Sequence, residues 1–176
     1  MSDNVARVMS ILGFLEWLSA TSGSVALRES HYFFLAVLTV HVLTLSVFAG
    51  MAAIIDLRLL GLAMRQVPAS QIVAQLVPWA TGGFIVMVTS GSLLFYSAPL
   101  ERSGNLFFRT KLVLLVLAGL NVFVFHKTVY GRVADWDIDR VPPASARLAG
   151  GVGLALWAGI IVLGRMMAYQ DYWFDG

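Results

Sequence analysis

The chain has 176 residues, of which 59% are hydrophobic and only 12% charged, against roughly 25% charged in an ordinary soluble domain. With a mean hydropathy of +0.80, this is the composition of an integral membrane protein. It contains no cysteine and its net charge of +2 is scattered, which excludes disulfides, thiolate metal sites and covalently attached c-type haem and implies no nucleic-acid partner.

In chain order, the first predicted element covers residues about 5 to 20. Val5, Val8, Met9, Leu12 and Leu15 recur at helical spacing, with Arg7, Ser10 and Glu16 elsewhere, the pattern of a short amphipathic helix lying along the interface. The stretch lacks the basic head and clean apolar run of a cleavable signal peptide, so none is expected. Four segments follow, at about 31–57, 76–98, 108–130 and 148–169. Each is long enough for a hydrocarbon core of about 30 Å, which takes roughly 20 apolar residues of helix. The connections RLLGLAMRQVPASQ, PLERSGN and KTVYGRVADWDIDRVPPASAR are short. The expectation is therefore an all-α fold: one transmembrane domain over residues 1–176, an up-down four-helix bundle preceded by the interfacial helix.

Trp79, Trp136 and the terminal YQDYWF read as interface markers. Orientation stays open. With both termini on one side, Arg7, Arg28, Arg102, Arg109, Lys111 and Arg165 oppose Arg58, Arg65, Lys127, Arg132, Arg140 and Arg147, an even split where the positive-inside rule needs an excess. Gly151, Ala155 and Gly159 recur every four residues, a flat ridge for close packing either inside one bundle or against a second copy in a homo-oligomer.

The chemistry centres on imidazoles. His31 sits at the mouth of the first span beside Arg28 and Glu29, where water serves it. His41 lies ten residues deeper among Val37, Leu38, Thr44 and Leu45. An ionisable group at that depth needs a partner, which is either a ligand or another helix's carbonyl or hydroxyl. His126 falls near the far end of the third span, with Gly119 two turns before it, leaving room for a macrocycle's face or for an adjacent helix. Two histidines on two membrane helices, without cysteine or an HExxH spacing, favour His41 and His126 as axial ligands of haem b. Zinc would want further ligands. Arg58, Lys127 and Arg132 are candidates to pair with the propionates, or simply anchor the span ends. Asp56 is expected to neutralise Arg58 or to meet a base on another helix. If Thr44 and Asn121 mark the middles of their spans, the two histidines differ in depth by roughly 10 Å, a gap that helix tilt would have to close.

The histidine of VLTVHVLTLSVFAG, with LRES, DLRLLG, VPWATGGFIVMVTSGSLLF and NLFFRTKLVLLVLAGLNVFVFH, resembles a family of small bacterial membrane proteins of unknown function over roughly residues 11 to 165. It is similar, more loosely, to copper-resistance D-type and cytochrome b561-like proteins, which are four-helix units with histidines inside the bundle. The resemblance implies that His41 and His126 are the paired intramembrane histidines. It also implies that Arg28, Asp56, Arg58, Asn105, Arg109, Lys111 and Asn121 lie in polar motifs.

The resulting expectation is a haem b protein of the bacterial inner membrane, passing electrons from quinol or a partner redox subunit. Any enzymatic activity would be that of an oxidoreductase acting through the cofactor. One alternative is binding or transport of copper or another soft metal by histidine and methionine, with Met51, Met87, Met166 and Met167 in or near spans. The other is a structural subunit in which the histidines tie helices together.

Overall fold

The computed structural model describes residues 2–174, with the side chains of residues 10–173. Helix α1, Ser2–Ala20, is followed by α2, Ser22–Glu29, and the long α3, His31–Leu59. Then come α4, Ala69–Ser97; the short α5, Pro99–Gly104; α6, Leu106–Thr128; α7, Ala144–Met166; and α8, Gln170–Phe174. A 3-10 turn, Tyr130–Asp135, lies between α6 and α7. Helices α3, α4, α6 and the run from α7 to Trp173 are long and apolar enough to cross a membrane. The protein is thus an all-α, multi-pass membrane bundle.

On α1, Ile11, Leu12, Phe14 and Trp17 are exposed while Leu15 is buried, so of the face read from the sequence Leu12 is outward and Leu15 packs inward. Val5, Val8 and Met9, the rest of that face, lie outside the described side chains.

Helix α2 was not anticipated, and it has a definite task. Thr21 caps it, accepting from the Ser24 amide, and also bonds the Tyr96 hydroxyl at 2.6 Å. Ser24 donates to the Tyr96 carbonyl at 2.8 Å and Arg28 to the Ser97 carbonyl at 3.5 Å. These are carbonyls of the last turn of α4, which have no partner in their own helix. Gly23 permits the approach, since a Cβ there would lie 2.7 Å from the Tyr96 hydroxyl.

The opposite end is organised by Arg58, in the last turn of α3 and 1% exposed. Its Nε donates to the Val67 carbonyl at 2.9 Å, and its Nη2 to the carbonyls of Asp137 and Asp139 at 3.1 and 3.3 Å. One side chain thereby joins the end of α3, the entry to α4 and the loop before α7. Helix α3 stops in a Schellman motif: the Gly61 amide reaches the Arg58 carbonyl and the Leu62 amide the Leu57 carbonyl, both at 3.0 Å. Gly61 has φ +71, and a Cβ would lie 3.2 Å from the Arg140 carbonyl, so conformation and space both require glycine.

Trp136 does not mark an interface. It is buried with Leu59, Ala69 and Ala146, seated there because its neighbour Asp137 accepts from the amide and hydroxyl of Ser70 at 2.7 and 2.6 Å. Helix α4 accordingly begins at Ala69 rather than near 76. Its polar first turn faces this loop, and Pro78 sits inside the helix without breaking it.

Arg58→Ala would leave three carbonyls without their charged donor, at a cost of roughly 3 kcal/mol or more. The expected result is a large drop in unfolding temperature in detergent and new protease cleavage within 129–143. Unchanged stability and cleavage would show that the loop is held some other way. Asp137 supplies a pH signature. Slight burial acts to raise its pKa, but the Ser70 hydroxyl and amide, the Arg58 charge and the Ala69 amide hold the carboxyl below the usual range. A depressed folded value stabilises above the unfolded pKa of about 3.9 and is lost as pH falls through the folded value. Stability should therefore decline below about pH 4 in the wild type and decline less in Asp137→Asn. Parallel curves would remove Asp137 from the acid response.

Candidate functional site: a polar cleft between membrane helices

Helix α3 packs on both α4 and α7, and α7 packs on α6, whereas α4 and α6 share no comparable interface. At the end of the bundle that carries the termini, Phe95 of α4 and Phe108 of α6 close this side as stacked rings, 5.5 Å between centroids. Toward the other end the two helices leave a cleft of about 320 Å³. Its back wall is α3 and α7, its sides α4 and α6.

The wall is mostly apolar. Phe48 stands at the inner end, edge-on to Trp157 at 4.7 Å and tilted against Phe84 at 6.0 Å. The polar lining comes from Asp56, Thr81, Asn121 and His126. Asp56 faces α7 across glycines. A Cβ on Gly150 would lie 2.7 Å from the Asp56 carbonyl, and one on Gly153 would lie 2.8 Å from its carboxyl carbon. The two small residues let the helices meet and give the carboxylate its space. Among the described residues no donor bonds that carboxylate. Asp56 and Arg58, two residues apart on a helix, point in different directions, so the expected neutralisation between them does not occur. Asn121 donates to the Ala149 carbonyl at 3.0 Å, tying α6 to α7 at the level of Asp56. The interhelical seam is thus Gly150 and Gly153. In the ridge read from the sequence, Gly151 faces Leu60, Gly159 faces Leu114 and Ala155 is exposed.

His126 and Gly119 line this cleft together. The imidazole is exposed and stacks on Tyr130, with centroids 5.0 Å apart. Lys127 and Arg132 are exposed at the same end, while Arg58 is committed to the loop carbonyls. His41 is elsewhere. Its Nδ1 lies 2.9 Å from the Ser90 hydroxyl, and that hydroxyl donates to the Val86 carbonyl at 2.7 Å. With the Ser90 proton on that carbonyl, His41 donates as the Nδ1–H tautomer; with it on the imidazole, His41 accepts. Gly91 permits the contact, a Cβ there lying 3.3 Å from the His41 ring. His31 is exposed at the start of α3.

The two histidines therefore do not converge. Asn121 is level with Asp56, not with Thr44, and His41 stands fifteen residues before Asp56 on α3, about 22 Å along the axis. Both imidazoles must lie about 2 Å from a shared metal, and no helix tilt brings them there within one chain. A haem with this ligand pair does not fit the bundle. Nor do the described residues hold any group of three or more His, Asp or Glu arranged for a metal ion.

The sequence signal for the cleft was Asp56, a lone carboxylate inside a span, which marks a site by the cost of placing it there. No curated protein and no solved structure matches the chain. The sequence pattern of a family described as being of unknown function, DUF6644, matches residues 7–170; extending over nearly the whole bundle and every residue of the cleft, this match makes the chain a member of that family.

Proposed function

We propose that this is a protein of the bacterial inner membrane that takes a lipophilic molecule with a hydrogen-bonding head, of the quinone or quinol class, into the cleft between α4 and α6. The observation that carries this reading is the union of an apolar, aromatic cavity with an unpartnered carboxylate on the side where two helices stay apart. Its volume of about 320 Å³ falls within the range of small-molecule sites, which are apolar with a few placed polar groups. Phe48, Phe84 and Trp157 offer flat surfaces to a ring. Asp56 accepts from a quinol hydroxyl, and His126 gives or receives a hydrogen bond at the mouth. A membrane-dissolved ligand enters from the side, without crossing water.

A second reading shares the cavity. Because His126 and Gly119 line it together, His126 would be the residue to hold a haem b there, and Lys127 and Arg132, exposed at the same end, would pair with its propionates. The group would supply one-electron chemistry; the chain would supply one imidazole and a dry wall. His41, engaged with Ser90, takes no part.

The two are separated by one preparation. A short-chain benzoquinone should quench the fluorescence of the purified protein saturably, and Trp157→Phe should remove that component. Asp56→Asn should weaken the apparent affinity for the corresponding quinol, read by its displacement of the quinone, by roughly tenfold to a hundredfold, the worth of a hydrogen bond from a hydroxyl to a charged group. Quenching that does not saturate or is indifferent to Trp157→Phe, or quinol displacement indifferent to Asp56→Asn, rejects the quinone site. The absorption spectrum of the same sample tests the haem: a Soret band lost in His126→Ala and kept in His41→Ala supports the second reading.

A further inference from the structure

The end of the bundle opposite the cleft holds two cations that make no salt bridge among the described residues. Lys111, in the second turn of α6, points inward, and its Nζ lies 3.3 Å from where a Cβ on Gly164 of α7 would be. No hydrogen-bond acceptor engages it among the described residues, and the charge acting on it is that of Arg102, another cation. Arg102, on α5, has its Nε buried without a partner, and burial holds its guanidinium below the usual range against the opposing effect of Glu101. Glu101 itself is exposed. His41 lies within electrostatic reach of both. Removing a charge from water costs several kcal/mol unless it is paired, and here two like charges share one desolvated corner.

We propose that Arg102 and Lys111 form a binding site for an anionic group, a phosphate or a carboxylate, seated between α5, α6 and α7. Both residues present N–H donors, and the orphaned Nε of Arg102 is a donor already desolvated and waiting for an acceptor. Lys111 stands about 8 Å from the start of its helix. Basic pockets between membrane helices hold anionic lipid head groups. The site shares no residue with the cleft and is independent of what the cleft binds.

The test is thermal unfolding of the delipidated full-length protein at fixed ionic strength, with phosphatidylglycerol, with phosphatidylcholine or with inorganic phosphate. The expected result is a rise of several degrees with phosphatidylglycerol and none with phosphatidylcholine. A rise with inorganic phosphate as well would assign the site to free anions; a rise with the lipid alone would assign it to a head group. Lys111→Met and Arg102→Gln should each weaken the response at least tenfold. In neutral detergent Lys111→Met should unfold no earlier than the wild type, because it removes an uncompensated charge. Lys111→Arg and Arg102→Lys should keep the response. If no anion shifts the wild type, or if the neutral variants respond as it does, no anion binds there.

Discussion

The burial of Arg58 is the constraint around which the loop end of the bundle is arranged. A guanidinium taken out of water must be given acceptors, and the chain provides backbone carbonyls from two loops rather than a carboxylate. The choice has a geometric consequence. A carboxylate partner would fix one contact, whereas carbonyls at Val67, Asp137 and Asp139 fix the paths of two connections at once, and with them the start of α4 and the seat of Trp136. Because Arg58 is turned toward these loops, Asp56 on the same helix is turned toward α7 and the cleft.

The rest of the bundle divides into a closed half and an open half. Toward the termini, α2 takes up the last carbonyls of α4, and the rings of Phe95 and Phe108 meet. Asn105 caps α6 while donating to the Met167 carbonyl at 3.1 Å, and Gln170 accepts from the Leu106 amide at 2.6 Å. The side chains of Arg102 and Lys111 have no such hydrogen-bond partner among the described residues. Toward the loops, α3, α7 and α6 are held in series by Gly150, Gly153 and Asn121, while α4 is held to α3 by His41, Ser90 and Gly91 in the half nearer the termini. Nothing comparable joins α4 to α6. The opening is therefore a property of the helix order, in which α4 and α6 are the two ends of an arc.

The four spans were legible because length and hydropathy dictate them. Their ends were less so. Ser70 and Gln71 read as loop but lie in the first turn of α4, since Asp137, distant in sequence, binds Ser70 and the Ala69 amide. Helix α2, with two serines and a glycine, has no apolar run to announce it; it exists because α4 ends against it. His41 was correctly recognised as needing a partner, and Ser90 and Gly91 were visible only as small residues. That they supply that partner and its clearance depends on the α3–α4 register, which no single-helix pattern contains. The supposed pairing of His41 with His126 came from counting two imidazoles without knowing that Asn121 lies level with Asp56.

An open side has a different meaning in lipid than in water. In a soluble protein, separated apolar faces would be driven together by hydrophobic burial. Between membrane helices that drive is absent, because acyl chains solvate leucine as well as another leucine does. The apolar faces of α4 and α6 therefore incur no penalty in standing apart, and an acyl chain or an apolar ligand fills the space equally well. Asp56 breaks the equivalence. An acyl chain offers its carboxylate nothing, and an unsatisfied polar group in hydrocarbon costs several kcal/mol. Of the molecules able to enter from the side, those bringing a hydroxyl or other donor to the depth of Asp56 are favoured over bulk lipid by that amount. For the ligand proposed above, the cleft would select by polarity at one point rather than by shape along its length.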